Sequence, residues 1–149
     1  MGYTISKVEV WAGDIFNRPG MLARVLEVLA NAGAKLEFIV SRRLTRNTGR
    51  VYVAPLTDGK QKRAAADVGL VVASGMHSIR IDGPDRVGLG AGIARCIAAA
   101  DINVRGVSAA TIGRRSVIYL AFGSKEDAAT AVKVIGKHLG RLRRSSKRA

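Results

Sequence analysis

The second half of this 149-residue chain repeats the first half at an offset of 68 residues, and this repeat limits the folds that the chain can adopt. With Gly20 placed over Gly88, the two halves share small and apolar residues at matching positions. The aligned pairs are Arg18 and Arg86, Ala23 and Ala91, Val25 and Ile93, Leu29 and Ile97, Ala30 and Ala98, Ala32 and Ala100, and Leu36 and Val104. The sequence therefore predicts two copies of one small module, each of about 70 residues.

Each copy has the same predicted order of elements, β-α-β-β-α. Alternating β-branched residues indicate strands, and apolar residues at a spacing of three and four indicate helices. The predicted strands are 7–12, 36–44 and 51–56 in copy one and 77–81, 102–112 and 116–122 in copy two; the helices are 21–32 and 60–68, then 89–100 and 125–139. This order predicts an α+β fold of two ferredoxin-like modules, whose antiparallel sheets carry the helices on one face.

A complete module of this kind ends in a fourth strand, and the two copies differ at that point. Residues 70–73 supply a short strand in copy one, whereas only basic sequence follows Leu139 in copy two. We therefore expect another segment or a second chain to pair with the exposed edge of copy two. The predicted boundaries are residues 1–75 for module one, 76–140 for module two and 141–149 for a disordered tail.

The chain has a formal net charge of +14, and that tail carries part of it, since five of its nine residues are basic. A basic tail either is a solvated segment that aids solubility or binds nucleic acid or another anionic surface. No apolar run reaches the length of about 18 residues that a membrane helix needs, so we predict no membrane span. The N-terminus has no signal-peptide pattern, and one cysteine cannot form an internal disulfide, so we expect a cytoplasmic protein.

The sequence has no catalytic constellation. The two histidines, His77 and His138, have no fixed spacing to the single cysteine, Cys96. Cys96 shares a helical face with Ile93 and Ile97, which indicates a small core residue. We therefore predict no metal site, no cofactor and no enzymatic activity.

A glycine-containing turn precedes the first helix of each copy: Asn17-Arg18-Pro19-Gly20 and Asp85-Arg86-Val87-Gly88. The N–H groups of a first helical turn lack partners and lie at the positive end of the helix dipole, so they attract a carboxylate. Pro19 fits near the first helical position, where its missing N–H costs nothing, and Gly20 lets a ligand approach the backbone. Asn17 or Asp85 can cap the helix or hold an ammonium group. Capping without any ligand is the alternative interpretation.

The strand, the turn and the apolar helix that ends in Ala32-Gly33 together resemble the ACT domain, over about residues 5–139. This resemblance implies a regulatory module that binds an amino acid or a similar small ligand where paired modules meet. It implies a homodimer, control of amino-acid metabolism through a partner enzyme, and ligand-binding roles at both turns. The implied site residues are Asp14, Asn17, Arg18, Pro19, Gly20, Met21, Leu22, Asp85, Arg86, Gly88 and Leu89. Val87 stands where the family has proline, so the second turn is expected to be the weaker site.

Two other functions are open at this point. RNA-recognition modules share the element order and stack bases on sheet aromatics, and this chain is basic. However, copy one has only Tyr52 for that purpose, while Tyr119 and Phe122 of copy two lie three apart and so point to opposite faces. The other function is that of a structural regulatory subunit that oligomerises through its sheet edges and binds no small ligand.

Overall fold

A computed structural model describes the backbone of residues 2–148 and the side chains of residues 2–145. It contains eight strands and four helices in this part of the chain. In chain order they are β1 (Thr4–Val8), β2 (Trp11–Phe16), α1 (Met21–Asn31), β3 (Phe38–Arg43), β4 (Thr48–Ala54), α2 (Gly59–Asp67), β5 (Val71–Val72), β6 (His77–Pro84), α3 (Leu89–Ala99), β7 (Val104–Ile112), β8 (Arg115–Phe122) and α4 (Lys125–Arg148).

The chain forms two compact units, which we call module 1 (residues 9–74) and module 2 (residues 1–8 with 75–149). Module 1 has a four-stranded sheet of order β3-β4-β2-β5, and module 2 has one of order β7-β8-β6-β1. All strand pairs are antiparallel. Each module is thus an α+β, ferredoxin-like unit, as the repeat predicts.

The fourth strand of module 2 comes from the N-terminus of the chain. β1 pairs with β6 over five residues, from Thr4 opposite Asp82 to Val8 opposite Ser78. Ile5 packs against the core of module 2, and this burial fixes the strand to that sheet. The prediction that another segment covers the open edge is confirmed.

Two details of the prediction differ from the structure here. The single strand expected at residues 7–12 is two strands, β1 and β2, because the chain leaves strand geometry at Glu9 and Val10. Consequently residues 1–8 belong to module 2 rather than to the predicted unit 1–75. The periodicity of β-branched residues runs through this point without a Gly or Pro, so nothing in the sequence marks the break.

In each module the inward side chains of one sheet face meet two helices. In module 1, Val25 and Leu29 of α1 and Ala65 of α2 pack against Val51 and Val53 of β4. The module 2 core is built in the same way from Ile79, Ile81, Ile93, Ile97, Ile118, Leu120, Phe122, Ala131 and Ile135. Among residues 2–148, no helix of the same module packs on the other face of either sheet, which is the arrangement that the alternating pattern predicts.

The prediction of a disordered tail is wrong for residues 141–148, because α4 continues to Arg148. Leu139 is 4% exposed and Leu142 also packs against the module 2 core, so the apolar face of the helix extends one turn further than predicted. The last residue, Ala149, lies outside the described part of the chain. Among the helices of residues 2–148, none combines the length and the apolar character needed to cross a membrane.

Candidate functional site

The two glycine turns have the same backbone conformation. Gly20 and Gly88 each precede a helix in the left-handed region, with φ of 90° and 82°. That region excludes most side chains, which explains why both copies have glycine there. In both turns the first helical N–H donates to the carbonyl three residues earlier: Met21 N to Arg18 O at 3.3 Å and Leu89 N to Arg86 O at 3.2 Å. The second turn therefore keeps this geometry without a proline.

The polar residues of the turns do not cap the helices, in contrast to the prediction. Neither helix has a side-chain cap. The Asn17 side-chain amide donates to the backbone carbonyl of Arg46 at 3.0 Å, and the Asp85 carboxylate accepts from the Ser116 hydroxyl at 2.7 Å. Asn17 thus ties its turn to the loop between β3 and β4, and Asp85 ties its turn to strand β8.

The first turn of α1 has free donors. Among the described residues, the backbone N–H groups of Leu22 and Ala23 have no acceptor. The cap residue is Gly20, which has no side chain that could accept a hydrogen bond from them. Pro19 lies two residues before the helix begins at Met21 and directly precedes the cap residue Gly20. The proline ring fixes the backbone angle φ in the turn before the helix, and not within the helix itself.

A groove of about 390 Å³ lies beside this turn in module 1. It exists because β5 is short: it pairs only with Trp11 and Ala12, so the edge of β2 beyond them has no neighbouring strand. The groove is lined by Asp14, Ile15, Phe16, Met21, Arg24, Val25, Thr48, Asp67 and Val68.

The groove carries charges of both signs. The Arg24 guanidinium is its cation, and the carboxylates of Asp14 and Asp67 are its anions. Asp14 is also paired across the sheet with Arg50, at 2.7 Å between Oδ1 and Nε, and this hydrogen bond lowers the pKa of Asp14. At the rim, the Arg18 guanidinium lies 5.0 Å above the centre of the exposed Phe16 ring.

The corresponding region of module 2 is filled by side chains of module 2 itself. At the repeat offset, Ile15 and Arg24 of the groove correspond to Gly83 and Gly92. A Cβ atom at Gly83 would collide with the Tyr3 ring, and one at Gly92 would collide with the His138 imidazole. These two rings therefore occupy the space that is open in module 1.

Tyr3 is held in this position by its own hydrogen bond. Its hydroxyl donates to the backbone carbonyl of Pro84 at 2.8 Å, and burial raises the pKa of the phenol. The glycine at position 92 allows α3 to pack closely against His138 of α4. Cys96 packs at the edge of the same core, where burial raises the pKa of its thiol, as expected for a structural cysteine.

Not all of the predicted site residues come together. Asp14 and Met21 line the groove, and Asn17, Arg18, Pro19 and Gly20 form the adjoining turn. Leu22 packs partly against the module 1 core. Leu89 is 4% exposed and belongs to the module 2 core. The other predicted residues of copy two, Asp85, Arg86 and Gly88, form a turn beside the filled region.

Four residues that shape the site are absent from the sequence prediction: Arg24, Asp67, Tyr3 and His138. Arg24 carried a signal, since it is a charged residue aligned with Gly92 in an otherwise similar helix. The other three are brought in by tertiary packing. No group of three or more His, Cys, Asp or Glu residues within the described range is placed to hold a metal ion.

Comparison with known proteins identifies solved structures that have a similar fold. No family model matches the sequence, and no curated protein matches it. Protein BT0572 from Bacteroides thetaiotaomicron has a similar structure, with a TM-score of 0.75 at 14% identity over 87% of this chain and 88% of that chain.

Structures of aspartate kinase are also similar. The ligand-free regulatory subunit from Thermus thermophilus has a TM-score of 0.65 at 16% identity, over 93% of this chain and 97% of the subunit. The aspartate kinase of Clostridium acetobutylicum matches with a TM-score of 0.61 at 15% identity, over 93% of this chain but only 34% of the enzyme. The chain therefore has the fold of the regulatory subunit of aspartate kinase.

Proposed function

We propose that this protein is a non-catalytic regulatory protein that binds an amino acid, or a similar small zwitterion, in the groove of module 1. The observation that carries the proposal is the open groove, which has charges of both signs and lies beside the N-terminus of α1, where two N–H groups have no acceptor among the described residues. A free amino acid has a carboxylate and an ammonium a few ångströms apart. The Arg24 guanidinium and the α1 N-terminus suit the carboxylate, and Asp14 or Asp67 suits the ammonium.

Support for a regulatory role comes from the neighbours of the fold. The Thermus thermophilus structure is of a regulatory subunit, and a structure of Escherichia coli aspartokinase III is of a complex with lysine and aspartate. By analogy, the present chain would act on amino-acid metabolism through a separate partner enzyme.

The proposed mechanism is a population shift in a homodimer. Several edge strands expose apolar side chains, including Ile39 on β3, Val71 on β5, and Val107 and Ile112 on β7. A second copy would cover such an edge, and an amino acid held between residues 17–22 and a module of that copy would favour one pairing over another.

The sheet faces give less support to RNA recognition. Phe122 is fully buried, so it cannot stack on a base, and the ring of Tyr119 lies beside the Arg80 guanidinium at 5.9 Å. Tyr52 is half-buried on β4. Recognition modules of that class need two or three aromatic rings on one exposed face.

The test is a thermal-shift screen of the full chain with each of the twenty amino acids at millimolar concentration. A ligand that binds only the folded state stabilises it by about 2.7 kcal/mol at about 100 times its Kd, so at least one amino acid should raise the Tm. The variant Arg24→Gln should lose that shift, and Arg95→Gln, an exposed arginine of α3, should retain it. No shift with any amino acid would favour the structural subunit and contradict the proposal.

A further inference from the structure

The helix α4 presents a row of basic side chains on the side opposite the core. Its buried positions include Ala131, Ile135 and Leu139. At about 100° per residue, the exposed side chains that lie opposite them cluster within about 80° of the helix circumference. They are Lys133, Lys137, Arg141 and Arg144, which we call the basic stripe.

The basic stripe is not neutralised by the protein. None of its four side chains forms an ion pair among the described residues. The acidic residues of α4 are Glu126 and Asp127 in its first turn, and the sequence from Ala128 to Ala149 has seven Lys and Arg and no Asp or Glu. Like charges three and four residues apart cost about 0.2 to 0.5 kcal/mol per pair, so the arrangement weakens the isolated helix.

The charge is also distributed unevenly between the modules. Module 2 has 15 Lys and Arg against five Asp and Glu, whereas module 1 has ten against six. Most of the excess positive charge of the chain is therefore in the module that carries the stripe. The groove of the proposed amino-acid site is in the other module, and none of the four stripe residues lines it.

We infer that the basic stripe binds the phosphate backbone of a nucleic-acid duplex without regard to base sequence. The stripe covers 11 residue steps, or about 16 Å along the helix axis at about 1.5 Å per residue. A duplex has one negative charge per about 1.7 Å of its axis, so a rigid row of cations of this length faces several phosphates at once.

A membrane surface is the less favoured partner. A helix that lies on a bilayer inserts an apolar face beneath the headgroups. In α4 the apolar face is already used, since Ile135, Leu139 and Leu142 pack into the module 2 core. Beyond Leu142 the sequence Arg143-Arg144-Ser145-Ser146-Lys147-Arg148 has no apolar residue to insert.

The test measures binding of the full chain to a short mixed-sequence DNA duplex by fluorescence anisotropy at several salt concentrations. Four phosphate contacts predict a slope of log K against log salt of about −3.6, which is about a hundredfold loss of affinity between about 50 and about 200 mM salt. The double variants Lys133→Gln/Lys137→Gln and Arg141→Gln/Arg144→Gln should each reduce the slope in magnitude by about 1.8.

The matched control is Lys60→Gln/Lys62→Gln, which removes two exposed lysines from α2 of module 1. It should leave the slope unchanged, and circular dichroism should show that all three variants are folded. An equal loss of slope in the control would mean that net charge alone acts, and the inference would be wrong. Unchanged binding by both stripe variants would contradict it as well, and so would tighter binding to phosphatidylserine vesicles than to the duplex at equal salt.

Discussion

The two modules share one fold and one turn geometry, yet a groove is open beside the turn of module 1 while side chains fill the same region of module 2. The difference originates in the fourth strand. In module 1 that strand is β5, which has two residues and leaves part of β2 uncovered. In module 2 it is β1, which pairs over five residues and is preceded by Tyr3, whose ring lies against Gly83. A duplicated fold thus keeps its scaffold while one copy fills the region beside the turn and the other leaves a groove there.

The largest expected effect comes from breaking the fourth strand of module 2. The double variant Tyr3→Ala/Ile5→Ala removes two partly buried side chains from that core and should lower the free energy of unfolding by about 3 kcal/mol or more. The matched variant Val71→Ala/Val72→Ala in β5 should cost less than about 1 kcal/mol, because both valines are exposed. Urea denaturation measures both values, and equal losses would contradict the difference between the two strands.

The second prediction concerns the two turn glycines. Valine at position 20 or 88 must adopt a positive φ, which should cost about 1 to 3 kcal/mol in either module. Only Gly20→Val should also abolish amino-acid binding, since only that turn adjoins the open groove. The stability of both variants is measured by urea denaturation and their binding by calorimetry. If folded Gly20→Val bound with unchanged affinity, the first turn would not be part of the site.

The smallest expected effect is a pH dependence. Hydrogen bonds from Arg115, together with the Arg80 ion pair, lower the pKa of Asp82 below its unfolded value, so the unfolded chain binds the proton more tightly. The stabilisation is complete above the unfolded pKa of about 3.9 and is lost as the pH falls through the folded pKa. Asp82→Asn should therefore cost up to about 1 kcal/mol at neutral pH and nothing in strong acid.

The control for that prediction is Asp14→Asn in module 1. Its carboxylate also has a lowered pKa, but it is 57% exposed, against 21% for Asp82, so solvent screens its pair with Arg50 more strongly. Unfolding curves of both variants across acidic pH show the difference. A larger effect at Asp14 than at Asp82 would contradict this ranking.

Much of the fold could be predicted from the sequence because the information is local. The spacing of Val25 and Leu29, the glycines at 20 and 88 and the alternation in β4 each reflect constraints within a few residues. Where the prediction failed, distant residues decide the outcome. The pairing of Thr4 with Asp82 requires a contact across 78 positions, and a continuous alternating pattern hides the break before β2.

The candidate site shows the same difference between features set by neighbouring residues and features set by distant ones. The turn of Asn17 to Gly20 was identified from its chemistry, and its positive φ was implied by the glycine. Asn17 and Asp85 could not be assigned their hairpin partners, because Arg46 and Ser116 reach them only through the folded sheet. In the same way, Leu89 has the spacing of a helix start and yet lies in the module 2 core together with residues of α4, which begins 36 residues later.

The most direct test of the account is the number of ligands that bind per chain, measured by isothermal titration calorimetry with the amino acid that gives the largest thermal shift. The open groove of module 1 and the filled region of module 2 predict one ligand per chain, with binding lost in Arg24→Gln and retained in Arg95→Gln. Two ligands per chain, or full binding by Arg24→Gln, would contradict the assignment of the site to module 1.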